Sequence, residues 1–476
     1  MHLLQPELHS RRAFLRRSTQ LGLAGTALPF ALNLAAMGEA AAFTADDYKA
    51  LVCVFLYGGN DYANTVVTYD EASYNRYSSI RGSIALPKAS LASTVLRPTT
   101  PLPDGRQYAL HPAMTGLAGL FNSGKAAVQL NVGPLVVPLT RTQYNSPDRR
   151  AYPIPPKLFS HNDQQSVWQS SSPEGSTVGW GGNMGDLALS SNGNSLFTCI
   201  AVTGNAVFLS GDSALQYQVS TNGAVAINGV KNNVYGSSAV RGALSALIQQ
   251  PSAHTLENEY TRVTTRAVTS ESQITGALAG SSLSTPFPAS NPLADQLRMV
   301  ARLIGARGAL GSKRQVFMVS LGGFDLHDNL IAQQPQLMQR VSDALTAFYN
   351  ATVELGVADK VTAFTASDFG RTLSSNGDGS DHGWGSHHFM VGGAVKGAAF
   401  YGTPPPVSIT NTAAPEDQWH VGQGRLLPST SVDQYAATLA RWFGVADSEM
   451  AGVLPNIRQF GAAAGRPDYP VDLGFL

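Results

Sequence analysis

The chain has 476 residues, of which 43% are hydrophobic, and its 32 basic and 32 acidic side chains give a formal net charge of zero. That balance gives no reason to expect nucleic acid or an anionic membrane as partner. Two cysteines, Cys53 and Cys199, are too few for a cysteine-held iron–sulfur cluster or a structural zinc site.

The amino terminus reads as an export signal. Ser10-Arg11-Arg12-Ala13-Phe14-Leu15-Arg16 has the twin-arginine pattern, an apolar stretch runs over 21–37, and Ala40-Ala41-Ala42 offers a small-residue cleavage site. Residues 1–42 are thus expected to be a twin-arginine signal peptide, with the export machinery as a transient partner and the periplasm or the exterior as destination. The alternative is an uncleaved anchor, since the stretch is at the short end for a membrane span. Cleavage removes four arginines against two glutamates, so the mature chain carries a balance of −2. No other segment is apolar enough to cross a bilayer.

The elements alternate. Leu51-Val-Cys-Val-Phe-Leu-Tyr57 is a continuous apolar strand that breaks at Gly58-Gly59-Asn60-Asp61. A helix is expected over 111–123, with Gly124 as its stop signal, and a strand over 126–132. A Pro-rich loop spans 134–160, and 162–169 reads as a short helix. A strand is expected over 195–202 and a further one at 206–209. Residues 211–290 are rich in Ser, Asn, Thr, Ala and Gly and read as an inserted cap with helix over about 238–270. A helix follows over 291–307, then the strand Val316-Phe-Met-Val-Ser-Leu321, which ends in Gly322-Gly323-Phe324-Asp325-Leu326-His327. Residues 329–355 form a long helix carrying Pro335. The strand Val361-Thr-Ala-Phe-Thr-Ala-Ser367 delivers Asp368. His382, His387 and His388 follow, and 432–443 is the last clear helix. Such alternation predicts an α/β fold: a doubly wound, mostly parallel sheet with helices on both faces. The lack of a Walker loop or a G-x-G-x-x-G fingerprint leaves nucleotide-cofactor chemistry without support.

Chemistry gathers at the strand ends, the edge where open α/β sheets bind ligands. Asp61, Asp325, His327, Asp368, His382 and His387 offer oxygen and nitrogen donors enough for one or two divalent ions, whether zinc, calcium, manganese or magnesium. Singly, each could be a turn former or a loop residue. Ser160 opens a helical pattern, where a hydroxyl faces the positive end of the dipole; it is either a nucleophile or only a cap. Arg371 could hold a tetrahedral oxyanion, or pair with Asp368 or Asp381. Asn64 and Asn376 could contact substrate or support the ligands. Cys53 and Cys199 read as buried small hydrophobes, and their pairing stays open.

At these motifs the chain resembles the bacterial family called domain of unknown function 1501. The matching stretches are Phe55-Leu-Tyr-Gly-Gly-Asn-Asp61-Tyr-Ala-Asn64, Ser160-His161 with Trp168, Ser320-Leu-Gly-Gly-Phe-Asp325-Leu-His327, Ser367-Asp368-Phe-Gly-Arg371-Thr and Asp381-His382-Gly-Trp-Gly. That family is similar to the alkaline phosphatase and sulfatase superfamily. The resemblance implies one or two metals, a Ser160 nucleophile and a small anionic ester as substrate. No Cys/Ser-x-Pro-x-Arg pattern surrounds Ser160, so formylglycine is not expected. The superfamily's Asp-His or Asp-Asn pair is Asp368-Phe369 here, with His382 left to fill the gap. The expectation is an exported metal-dependent hydrolase of phosphate or sulfate esters. The alternative is a catalytically inactive relative that binds an unknown protein partner in the periplasm or at the surface.

Overall fold

The computed structural model describes residues 45–476; the export signal expected over 1–42 lies outside the described residues. β1 (Lys49–Leu56) shows how the core is built. Ala50, Val52, Val54 and Leu56 enter one apolar cluster, while Leu51, Cys53 and Phe55 enter another on the opposite face. A strand that is apolar on both sides requires cover on both sides.

The remaining strands, in chain order, are β2 (Val66–Thr68), β3 (Tyr108–Leu110), β4 (Ala126–Gly133), β5 (Cys199–Ala201), β6 (Gln216–Ser220), β7 (Gly223–Ala224), β8 (Arg314–Leu321), β9 (Val361–Ser367), β10 (Ser386–Gly392), β11 (Phe400–Tyr401) and β12 (Thr430–Ser431). The main sheet has the order β11-β4-β10-β9-β1-β8-β5-β6-β7, with β12 beside β4. β10 runs antiparallel to both its neighbours and β7 runs antiparallel to β6; the other pairings are parallel. β2 and β3 form a separate antiparallel pair.

Among the described residues nine α-helices have eight residues or more: α1 (Glu71–Arg81), α2 (Thr115–Asn122), α3 (His161–Ser170), α4 (Trp180–Ala188), α5 (Ser238–Ile248), α6 (Thr255–Ala279), α7 (Pro292–Gly305), α8 (Leu330–Glu354) and α9 (Val432–Phe443). α2, α7 and α8 cover the first face; α4, α9 and Trp168 of α3 cover the second. Local chemistry starts them where they start. Asn291 accepts from the backbone N–H groups of Leu293 and Ala294 with Pro292 at the first position of α7, and Ser431 and Gln434 form a capping box on α9. The result is the doubly wound, mostly parallel sheet that the alternation predicts.

Several boundaries differ from expectation. The helix expected from residue 111 begins at Thr115, because the His111 carbonyl accepts from the Met114 N–H in a turn of its own. The strand expected at 206–209 is a 3-10 turn, Val207–Leu209; it packs on α4, with the Phe208 and Trp180 rings 4.6 Å apart, instead of joining the sheet. The helix expected over 238–270 is two, α5 and α6, separated by a segment holding Pro251. Residues 211–290 also supply β6 and β7, so this stretch extends the sheet. α8 continues through Pro335. Cys53 and Cys199 are free and buried on strands separated by β8. Among the described residues no helix is long and apolar enough to cross a membrane.

Candidate metal centre

Three parallel strands end level with one another. Leu56 of β1 is in register with Leu321 of β8 on one side and with Ser367 of β9 on the other. The segments 58–61, 322–327 and 368–371 therefore leave the sheet together at its carboxyl edge. Gly58 and Gly59 have φ of 116° and 82°, and a Cβ on them would overlap the Asp325 backbone nitrogen and the Phe369 ring respectively. The left-handed backbone and the missing side chains let the loop after β1 lie against both other loops.

α3 aims its first residue into this edge. His161 Nδ1 lies 2.6 Å from Asp368 Oδ2, and Gln165, one turn later, donates to the same oxygen at 2.9 Å. The Gly58 N–H is a third donor to it at 3.2 Å. Asp368 is fully buried, so its position is set by these donors. Trp168 anchors the helix behind them, its ring centroid 4.9 Å from that of His388 and its carbonyl accepting from the Trp180 indole.

Two more imidazoles are held in the same manner. His382 Nδ1 lies 2.7 Å from the Phe159 carbonyl oxygen, and His327 Nδ1 lies 3.3 Å from Asp381 Oδ1, which also accepts from Asn376 Nδ2 at 2.9 Å. Phe159 has φ 74°, an uncommon conformation for a bulky residue, in the segment that presents its carbonyl to His382. A carbonyl or carboxylate partner requires Nδ1 to carry a proton, so in the neutral ring each Nε2 keeps a lone pair available to a cation. All three Nε2 atoms face Asp325. The distances are 3.3 Å from His161 Nε2 to Asp325 Oδ2, 3.1 Å from His327 Nε2 to Oδ1, and 3.2 Å from His382 Nε2 to Oδ1. His161 Nε2 is buried without a hydrogen-bond partner. His161, Asp325 and His382 each place a donor atom within 4.8 Å of the others. Donors about 2.0–2.1 Å from a tetrahedral ion lie about 3.3 Å apart. The donor set therefore fits a divalent cation.

Without an ion the electrostatics differ from ring to ring. The hydrogen bond to Asp368 raises the His161 imidazole above its ordinary pKa, whereas burial lowers that of His382. Burial alone would raise the Asp325 carboxyl, but Arg371 and the neighbouring imidazoles hold it below the usual range. Asp325 and His327 are each 44% exposed, so the centre opens to solvent.

Of the residues expected to act here, Asp325, His327 and His382 come together with Asp368 behind them. Asp61 and His387 are not brought to the cluster. Asp61 is buried, accepting from Arg81 Nη2 at 2.7 Å, Ser380 Oγ at 2.6 Å and the Asn64 N–H at 3.0 Å, so its lone pairs are engaged. His387 lies in β10, where Nδ1 accepts from the Asn131 N–H and the ring meets Tyr62. Arg371 pairs with neither Asp368 nor Asp381. It is fully buried, donating to Asp325 Oδ1 at 2.7 Å, the Gly58 carbonyl at 3.2 Å and the Ser380 carbonyl at 2.5 Å, and no free fork is left for an oxyanion. Ser160 stands at the N-cap position of α3, and its hydroxyl donates to Asp163 Oδ2 at 2.8 Å. Asn64 is buried between the Tyr77 hydroxyl and the Ile84 carbonyl. His161, Gln165 and Asp381 are the participants that sequence reasoning leaves without a role.

Residues 48–455 match the family described as "Protein of unknown function (DUF1501)". Two solved structures are distantly similar. One, described as Ps i-CgsB in complex with k-i-k-neocarrahexaose, has a TM-score of 0.36 at 9% identity, over 90% of this chain and 78% of that one. The other is the lipoteichoic acid synthase LtaP from Listeria monocytogenes, with a TM-score of 0.28 at 10% identity, over 76% of this chain and 68% of that one. No curated protein matches the chain.

Proposed function

This chain belongs to the DUF1501 family, and we propose that it is an exported metal-dependent hydrolase of phosphate or sulfate esters. The observation that carries the reading is the convergence of three Nε2 atoms on one carboxylate, each imidazole oriented through its other nitrogen. Histidine ligands of metals are commonly oriented by such a second partner. His161, Asp325, His327 and His382 would hold the ion. A nitrogen-rich set suits zinc or manganese better than calcium or magnesium. When bound, the ion supplies Lewis acidity toward a phosphoryl or sulfuryl oxygen.

The chain's own residues do the rest. Asp368 and Gln165 fix the His161 ring, and Asp381 with Asn376 fixes His327. Ser160 precedes a ligand directly, and its hydroxyl donates to Asp163; Ser160 Oγ would bond to the phosphorus or sulfur as the bond to the leaving alcohol breaks, its proton would pass to Asp163, and water would then release the anion from the serine. Elemental analysis of the purified chain tests the reading. About one zinc or manganese per chain is expected, together with cleavage of an aryl phosphate or aryl sulfate, and Asp325→Ala should abolish both. A metal-free protein without turnover rejects it.

A second reading is a binding protein without turnover. Arg371 favours it, because a buried guanidinium already neutralises Asp325. Metal analysis separates the two.

A further inference from the structure

Three arginines lie at the carboxyl edge of the sheet, two of them touching the centre, and they differ in what is left free. Arg81 is fully buried on Asp61 and the carbonyls of Thr372 and Leu373. Arg371 is spent on Asp325, Gly58 and Ser380. Arg425 is not. Its Nε donates to the His382 carbonyl at 2.7 Å, and its guanidinium lies 5.3 Å from the centroid of the Phe159 ring. Both contacts are to residues of the centre: His382 supplies a donor nitrogen, and Phe159 orients it. Among the described residues, no carboxylate lies within ion-pairing distance of Arg425 and no acceptor meets its two Nη groups, which are not sealed from solvent.

A guanidinium fixed at Nε and stacked on a ring, with both terminal nitrogens free, has the planar fork that binds two oxygens of a tetrahedral anion. Asp381 acts on Arg425 through space without reaching ion-pairing distance, because its carboxylate is held by His327 and Asn376.

We infer that Arg425 is the anion-binding residue of this centre, donating both Nη groups to two oxygens of the phosphoryl or sulfuryl group of the substrate. The inference deepens the hydrolase reading and rests on it for the location of the substrate. Ester and free anion share this chemistry, so inorganic phosphate and inorganic sulfate serve as probes.

The test is calorimetric titration of the full chain with each probe in turn, for wild type, Arg425→Gln, Arg425→Lys and Arg149→Gln, with metal content measured on every sample. Arg425→Gln should weaken the tighter probe about tenfold or more at unchanged metal content. Arg425→Lys should fall between, because a point charge replaces the fork. Arg149→Gln should bind as wild type. The probe bound more tightly names the ester. Unchanged affinity in Arg425→Gln overturns the inference, as does failure of the wild type to bind either anion at millimolar concentration. Loss of metal in Arg425→Gln also overturns it, since the residue then only positions His382. A wild type that carries no metal but binds anion through Arg425 defeats the hydrolase reading and leaves this one standing.

Discussion

His327 Nε2 and His382 Nε2 face one another at 2.9 Å while the Nδ1 atoms of both rings are tied to acceptors. Two neutral imidazoles in those tautomers would set lone pair against lone pair. A proton or a cation between them removes the conflict, and Asp325 beside them adds negative charge. Adding zinc or manganese to chelated protein should therefore raise its melting temperature. At a hundredfold excess over Kd the stabilisation is about 2.7 kcal/mol. His382→Gln should lose most of the shift. Differential scanning calorimetry with and without metal reads both.

Asp368 should matter through His161. Its Oδ2 is the acceptor for Nδ1 at 2.6 Å, so Asp368→Asn weakens that bond and releases the tautomer. Loss of such an orienting partner costs about 10–100-fold in metal affinity. Competition with a chromophoric chelator measures it. An Asp368→Asn protein that holds metal as tightly as wild type would show that His161 is not a ligand.

The strand-end geometry was legible because an apolar run that breaks at Gly-Gly-x-Asp has a local signature; Asp325 sits on it and joins the centre, Asp61 sits on it and is spent on Arg81 and Ser380 instead, and Asp368 follows its strand directly. The level ending of β1, β8 and β9 was not legible, since register depends on pairing between segments far apart in sequence. His161 escaped notice because a histidine beside a capping serine looks like any polar residue of a first helical turn. Its signal was the i, i+4 pair with Gln165, which places two polar side chains on one helix face. His387 misled for the opposite reason. It lies inside Ser386-His-His-Phe-Met-Val391, a run apolar enough to be β10, and a histidine in a buried strand serves the core. Arg371 could not be judged from Asp-Phe-Gly-Arg, because nothing local shows whether a guanidinium faces water or three internal acceptors.

Gly59 tests whether the loop after β1 is as constrained as its contacts imply. Gly59→Ala adds a Cβ into the Phe369 ring at a φ of 82°. The left-handed backbone alone costs about 1–2 kcal/mol, and the overlap adds to that. Urea unfolding should show a loss of about 2 kcal/mol or more, and metal affinity should fall with it, since Phe369 follows Asp368. A substitution without effect on either would mean that the loop has room to move.

Acid should destabilise the metal-free protein before its carboxylates titrate. Burial holds His111 down to about 4 and His387 and His388 down to about 3. In the unfolded chain they take protons near pH 6.5. Below that the unfolded state binds more protons than the folded one, so stability falls as pH drops from about 6.5 toward 4. For His111 alone the full loss is about 3 kcal/mol. His111→Gln should flatten the slope of unfolding free energy against pH in this window. An unchanged slope would contradict the depressed value.

Asp433 has the reverse sign. It lies in the first turn of α9, and burial pushes its carboxyl up to about 6 even though it accepts from the Asn456 N–H and the Ser171 hydroxyl. Between about pH 4 and 6 the folded chain holds the extra proton, so this residue's contribution to stability is present at low pH and lost as pH rises. Above pH 6 the protein carries a buried carboxylate at a cost of about 3 kcal/mol. Asp433→Asn keeps an acceptor oxygen for both donors and removes the charge. Its amide can in turn donate to the Ser171 oxygen. The variant should be more stable than wild type by about 1–3 kcal/mol at pH 8 and nearly equal to it at pH 4. Denaturant titrations at the two pH values decide the matter, because a purely structural effect of the substitution would be the same at both.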